Sequence, residues 1–199
     1  MENERINIAV LVSGGGTNLQ ALIDAEKSGK LKSGKINLVV SNNETAFALN
    51  RAKAAEIPTA VITGDNFEEA LIKTLKNADT ELIVLAGFMK ILSERFTKLY
   101  GGRIINVHPS LIPSFCGKGF YGLKVHEEAL KYGVKITGAT VHFVNEVPDS
   151  GKIIMQKAVK ILPNDTAKSL QKRVMEQAEW KILPAACEKV CKNLLKEKL

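Results

Sequence analysis

The sequence predicts an α/β protein built on a doubly wound, mostly parallel sheet, extended by an antiparallel strand and closed by a long C-terminal helix. Three observations carry that prediction. Short apolar runs, nearly continuous in Ile6–Val12 and complete in Leu82–Leu85, have the length and composition of strands buried on both faces. Stretches with apolar residues at helical spacing alternate with those runs, as crossover helices must between parallel strands. Near the end, Lys135–Asn145 and Lys152–Val159 follow each other across a tight turn, which gives a hairpin-like unit and a mixed sheet.

In chain order, the Ile6–Val12 strand ends in Ser13-Gly14-Gly15-Gly16-Thr17-Asn18, and a helix follows with Leu19, Leu22 and Ile23 on one face. A glycine-rich turn between strand and helix exposes backbone N–H groups at a positive helix terminus, which suits a phosphate. The pattern is not G-x-G-x-x-G and no Walker lysine follows, so the loop reads as a cradle for one phosphate, not a dinucleotide or NTP site. A tight turn needing φ > 0 would account for one or two of the glycines. Ile36–Val40 is the second strand, Thr45–Glu56 a helix, Pro58–Ile62 a third strand, and Asn66–Asn77 a helix carrying Phe67, Leu71 and Leu75. After Leu82–Leu85 the chain runs through Ala86–Leu92 to Ser93, which caps a short helix ending near Tyr100. Arg103–Val107 is the next strand.

That strand leads into Asn106-Val107-His108-Pro109-Ser110-Leu111-Ile112-Pro113. Alternate strand residues face one side, so Asn106 and His108 share a space where they can polarise a carbonyl and move a proton. The same pair also reads as a polar strand end capping a loop. The glycine loop, Ala86–Leu92 and the Asn106 stretch all follow strand C-termini, the edge at which open α/β sheets bind ligands. An irregular stretch with three glycines and three aromatic rings, Ser114–Gly122, has the make-up of a mobile cover. Leu123–Tyr132 is a helix ended by Gly133, and its His126 reads as a packing or surface residue. Asp149, beside Ser150-Gly151, reads as an organiser of the hairpin turn. The last helix starts at Asn164 or Asp165 and carries Leu170, Val174, Ala178 and Ile182, with Pro184 expected to break or kink it.

With 28 basic and 21 acidic residues the net charge is +7, which favours anionic partners. Arginine is confined to five scattered positions and no aromatic-plus-basic stripe is present, so the expected partners are small anions and not nucleic acid. No apolar run approaches the roughly 20 residues of a membrane span, and the polar N-terminus lacks a signal-peptide pattern, so a cytoplasmic protein is expected. Cys116, Cys187 and Cys191 form no disulfide framework or metal pattern; Cys187 and Cys191 read as packing, and Cys116 as a loop residue more than a nucleophile.

Taken together, Ser13–Asn18, Val84–Leu92, Asn106–Pro113 and Gly138–Val144 leading to Asp149-Ser150-Gly151 resemble the folate-dependent formyltransferase family, and within it the phosphoribosylglycinamide formyltransferases. The resemblance covers essentially the whole chain. It implies one Rossmann-like domain over 1–199, with a phosphate-binding half (1–105) and a catalytic and folate-binding half (106–199) on one sheet. It implies transfer of a formyl group from 10-formyltetrahydrofolate to the amino group of glycinamide ribonucleotide, without a metal, by a monomer or homodimer. Asn106, His108 and Asp149 then match the catalytic trio. Gly16, Thr17 and Asn18 match the substrate-phosphate loop, and Glu179 matches a residue that holds the ribose. Met89, Lys90, Ile91 and Leu92, with Asn106 and Asn145, match the folate pocket. On this reading Asn106 and a protonated His108 hydrogen-bond the tetrahedral oxyanion, and Asp149 raises the His108 pKa. The chain departs from the family pattern in extra loop residues at Lys118–Gly122, in Lys90 where arginine is common, and in lacking an arginine at Asp65-Asn66.

Other members of the family are methionyl-tRNA formyltransferase and formyltetrahydrofolate deformylase. Each normally carries a further domain for which this length is expected to leave no residues. A non-catalytic nucleotide- or nucleic-acid-binding Rossmann-like module is the alternative outside enzymes.

Overall fold

In the computed structural model, which describes residues 4–198, seven strands form one sheet in the order β3-β2-β1-β4-β5-β6-β7. The strands are β1 (Ile6–Val12), β2 (Gly34–Ser41), β3 (Thr59–Val61), β4 (Leu82–Leu85), β5 (Ile104–His108), β6 (Ile136–Phe143) and β7 (Ile153–Lys160). The first five are parallel; β6 runs antiparallel to β5, and β7 antiparallel to β6. Helices α1 (Thr17–Lys27), α2 (Phe47–Ala54), α3 (Phe67–Asn77), α4 (Glu94–Leu99) and α5 (Leu123–Tyr132) occupy the connections, and α6 (Ala167–Val174) and α7 (Trp180–Glu197) follow the last strand.

The continuous apolar run of β1 is explained by two covered faces. Ile6, Ile8, Val10 and Val12 pack with Leu19 and Leu22 of α1 and with α7, whereas Ala9 and Leu11 pack with Phe67, Leu71 and Leu75 of α3 and Phe96 of α4. A strand with period-2 side chains and helices on both sides needs apolar residues on both faces, and the one exception, Asn7, is partly exposed near the start of the strand. The chain leaves β1 toward β2 on one side and β4 lies on the other, so the sheet changes direction between β1 and β4. The loops at the C-terminal ends of β1, β4 and β5 therefore open into one crevice.

Two expectations are corrected at the C-terminus. The cap is Thr166 and not Asn164 or Asp165: its hydroxyl accepts the Ser169 N–H while Ser169 Oγ accepts the Thr166 N–H, a reciprocal capping box. The long helix is also two helices joined through a π turn, Met175–Glu179, and Pro184 sits inside α7 without breaking it. The irregularity falls a turn upstream of the proline, where the wider π ladder faces the crevice. The expected hairpin-like pair is present, with β7 returning antiparallel alongside β6.

Candidate active site

Asn106 and His108 project from the same face of β5, at the edge of a cleft of about 830 Å³. The cleft is walled by the glycine loop Gly14–Asn18, by Ala86–Ile91, by the loop 117–122, by Pro148 and Asp149, and by Met175 and Glu179 from the π turn. A separate cavity of about 670 Å³ between α1 and α7 contains none of the trio.

At the glycine-loop end, Gly16 caps α1 with φ 71°, and a Cβ there would lie 2.6 Å from Ala48 Cβ. The carbonyls of the loop are spent inward: Gly14 O accepts Ala48 N–H, Gly15 O accepts Arg51 Nε–H at 2.8 Å, and Gly16 O accepts Gln20 N–H. That leaves the N–H side of the loop for a ligand, at the positive end of α1. Arg51, whose guanidinium also stacks 5.1 Å from the Phe47 ring centre, thus buttresses the loop, a role with no sequence signal. Asn18 donates to Glu179 Oε2 at 2.7 Å, tying the loop to the π turn. Burial pushes the Glu179 carboxyl up to about 6, with the Asn18 N–H pulling against it. Asn18 Oδ1 is buried with no partner among the described residues, so an acceptor beside the carboxylate awaits a donor.

At the reacting end, the antiparallel register sets Asn106 opposite His142 and His108 opposite Thr140. His142 Nδ1 donates to the Phe143 carbonyl at 2.8 Å, so its Nε2 accepts from Asn106 Nδ2 at 3.2 Å. One amide hydrogen of Asn106 is used there and the other is left for the cleft. His142 Nε2 also lies 3.5 Å from Asp149 Oδ1. Thr140 pins the segment after His108: its hydroxyl donates to Ser110 O at 2.7 Å and accepts from Ile112 N–H at 3.1 Å.

Asp149 has φ 58°, in a turn that Asn145 organises by accepting Val147 N–H and Ser150 Oγ–H. Its Oδ2 accepts Gly117 N–H at 2.8 Å and lies 3.5 Å from His108 Nδ1, while His108 Nε2–H donates to Phe115 O at 2.9 Å. Burial pushes the Asp149 carboxyl up, but His142, the charge of His108 and the Gly117 N–H together outweigh it and hold the group below its ordinary value. His108 reverses the expectation drawn above. Its burial lowers the pKa by more than Asp149 and the Phe115 carbonyl raise it, with His142 adding to the lowering. The ring is therefore neutral near neutrality. Burial and then Asp149 push the Cys116 thiol up, which keeps it protonated and unsuited to nucleophilic attack.

Met89, Lys90 and Ile91 line the cleft, with Lys90 Nζ 4.4 Å from the Phe67 ring centre. Leu92 and Asn145, also expected to contact folate, do not line this cleft with their side chains: the Leu92 side chain is buried in the layer of α3 and α4, and the Asn145 side chain is engaged in its turn. His126, expected to be a packing or surface residue, is fully buried and lines the cleft, and neither ring nitrogen has a partner among the described residues. Burial and then His108 push it down to about 4. His142, Phe115 and Gly117 were not singled out from the sequence. The first depends on strand register, and the other two act through their backbones.

A doubly wound sheet with a carboxamide, an imidazole and a carboxylate meeting at its switch-point edge defines a class, and residues 6–187 match the family model described as formyl transferase. The chain belongs to the formyl transferase family. Within it, the chain is 44% identical over 183 residues to the phosphoribosylglycinamide formyltransferase of Haemophilus influenzae, covering 89% of this chain and 83% of that protein. It is 43% identical over 195 residues, 95% of its length, to the human trifunctional purine biosynthetic protein adenosine-3, of which it spans 19%. The crystal structure of phosphoribosylglycinamide formyltransferase from Anaplasma phagocytophilum superposes with a TM-score of 0.87 at 40% identity, covering 96% of this chain and 89% of that one.

Proposed function

We propose that this chain transfers the formyl group of 10-formyltetrahydrofolate to the amino group of glycinamide ribonucleotide, releasing tetrahydrofolate. The observation that carries the reading is the single cleft with a glycine-loop helix N-terminus at one end and Asn106, His108 and Asp149 at the other. The loop takes the phosphate, Glu179 and the free Asn18 Oδ1 accept from the ribose hydroxyls, and Met89, Lys90 and Ile91 border the folate. On this reading 1–105 supplies the phosphate half of one domain and 106–199 the chemistry, working on small molecules in the cytoplasm as a monomer or homodimer. No described helix is long and apolar enough to cross a membrane.

Attack of the amine on the formyl carbon produces an oxyanion and an ammonium that must lose a proton. The Asn106 N–H not used by His142 stabilises the oxyanion, a contribution of about 2.7–4 kcal/mol for one such donor. Neutral His108 takes the proton at Nδ1, beside Asp149 at 3.5 Å, and the imidazolium so formed has a carboxylate facing its new N–H. The proton then passes to the departing folate nitrogen as the tetrahedral adduct collapses. Help of this kind is worth about 10²–10⁴-fold.

The deciding assay follows tetrahydrofolate release from 10-formyltetrahydrofolate with and without glycinamide ribonucleotide. Release that requires the amine and matches the formylated product is the expected result. Release without the amine would mean hydrolysis, and no release with it would leave a binding module.

A further inference from the structure

His108 and Asp149 are both held by the backbone of one loop: the Phe115 carbonyl accepts His108 Nε2–H at 2.9 Å, and Gly117 N–H donates to Asp149 at 2.8 Å. Phe115 reaches that contact through a left-handed backbone with φ 49°. For a bulky L-residue this conformation is strained, because Cβ crowds the following carbonyl oxygen. The ring holds the residue there, packing edge-on to Tyr132 with centroids 5.9 Å apart and 6.5 Å from Phe120. A strained residue whose strain presents one atom to a reacting group is the pattern expected of a positioning device.

We propose that the Phe115 carbonyl is a positioning group of the active site, fixing His108 as the Nε2–H tautomer so that the basic lone pair stays on Nδ1, facing Asp149 and the substrate. The inference rests on the reading of His108 as the proton acceptor. A neutral imidazole has one N–H, and the partner of each ring nitrogen decides where it resides. Here two acceptors compete for that proton, the carbonyl at 2.9 Å and the carboxylate at 3.5 Å. Without the carbonyl the proton moves to Nδ1 to meet Asp149, and the base points away from the cleft. With it, the ring accepts a proton at Nδ1 and needs no rotation, because both nitrogens of the imidazolium then have acceptors. The other titratable groups that bear on His108, His142 on β6 and His126 on α5, are imidazoles without a fixed negative charge and do not replace the carbonyl.

The chain has three histidines, so ¹⁵N-histidine NMR resolves each ring. Neutral His108 is expected as the Nε2–H tautomer in the wild-type protein; an Nδ1–H tautomer overturns the inference without reference to any variant. Phe115→Val, Phe115→Gly and Phe115→Asn all remove the aromatic ring, but only Gly and Asn tolerate a positive φ. The kcat of Phe115→Val is expected about 10- to 100-fold below those of Gly and Asn with little change in KM. The His108 titration in Val is expected at lower pH, because the carbonyl that favours the protonated ring is gone. Equal kcat and equal titration across the three variants overturns the inference and assigns Phe115 to packing. His108→Ala separates the two claims: an active His108→Ala protein removes the reading of His108 itself, and an inactive one leaves Phe115 to be judged by the series.

Discussion

Two buried carboxylates stand at either end of the same helical segment, Asp165 before α6 and Glu179 at the close of the π turn, and their surroundings differ in one respect. Asp165 is fully partnered: both oxygens face the Arg173 guanidinium, with Nη2 at 2.6 Å from Oδ1, and they also accept Leu162 N–H and Ser169 Oγ–H. Arg173 holds that carboxyl well below its ordinary value. Glu179 has one donor among the described residues, Asn18, and burial pushes it up to about 6. A group whose hydrogen-bonding capacity is met inside the protein belongs to the fold. A buried group left short of donors, opening on a cleft, is kept for a ligand at a cost in stability.

The sharpest way to test that contrast is Glu179→Ala. If the carboxylate holds hydroxyls of the ribonucleotide, the KM for glycinamide ribonucleotide rises by about 10²–10³-fold, or ~3–4 kcal/mol of binding, with a smaller fall in kcat. The protein stays folded because the lost partner, the Asn18 amide, gains access to the cleft. Steady-state kinetics with the ribonucleotide varied decide it, and an unchanged KM would make Glu179 a structural tie to the glycine loop.

How much of this was legible in the sequence follows the range of the interactions. β1 could be read from its own residues, since a nearly continuous apolar run has few explanations other than burial on both faces. The α6 cap could not, because Asn164, Asp165 and Thr166 are all capping types and the choice falls to Ser169, three residues on from Thr166. The Asn106 and His108 pair was visible as a period-2 spacing, but Asp149 looked like a turn residue and entered only through family resemblance. His142 is paired with Asn106 by the register of β5 on β6, a contact between residues far apart in the chain. The sign of the His108 shift was misread for a related reason. A neighbouring carboxylate can be guessed from a motif, whereas the burial that outweighs it is a property of the assembled cleft. The Phe115 carbonyl lies beyond sequence reading, because every residue has one and a positive φ at phenylalanine has no compositional signal.

At the fully partnered end of the comparison, Asp165→Ala is expected to lower stability by about 2–3 kcal/mol, since it strips a half-buried guanidinium, a loop N–H and the α6 capping box of their shared acceptor. Turnover per folded molecule is expected to stay within twofold. Urea unfolding paired with active-site titration separates the two quantities. A fall in kcat/KM of tenfold or more in the folded protein would break the division between a carboxylate for the fold and one for the ligand.

The smallest expected effect has the most specific shape. The folded state raises the Glu179 carboxyl from its ordinary 4.5 to about 6, so folding favours the protonated form. The stability this contributes is complete below pH 4.5 and is lost as pH rises through 6. By pH 7 the wild-type protein has given up about 2 kcal/mol relative to an uncharged side chain at that position. Glu179→Gln keeps an acceptor for the Asn18 N–H and does not ionise. Its stability advantage over the wild type is therefore expected to be near zero at pH 4, to grow between pH 4.5 and 6, and to level off above. Unfolding free energies of both proteins across pH 4–8 give that difference directly, because every other titrating group is common to the pair. A constant offset at all pH values would show that Glu179 is not destabilised by its burial, and its missing donors would then have to be supplied by the protein after all.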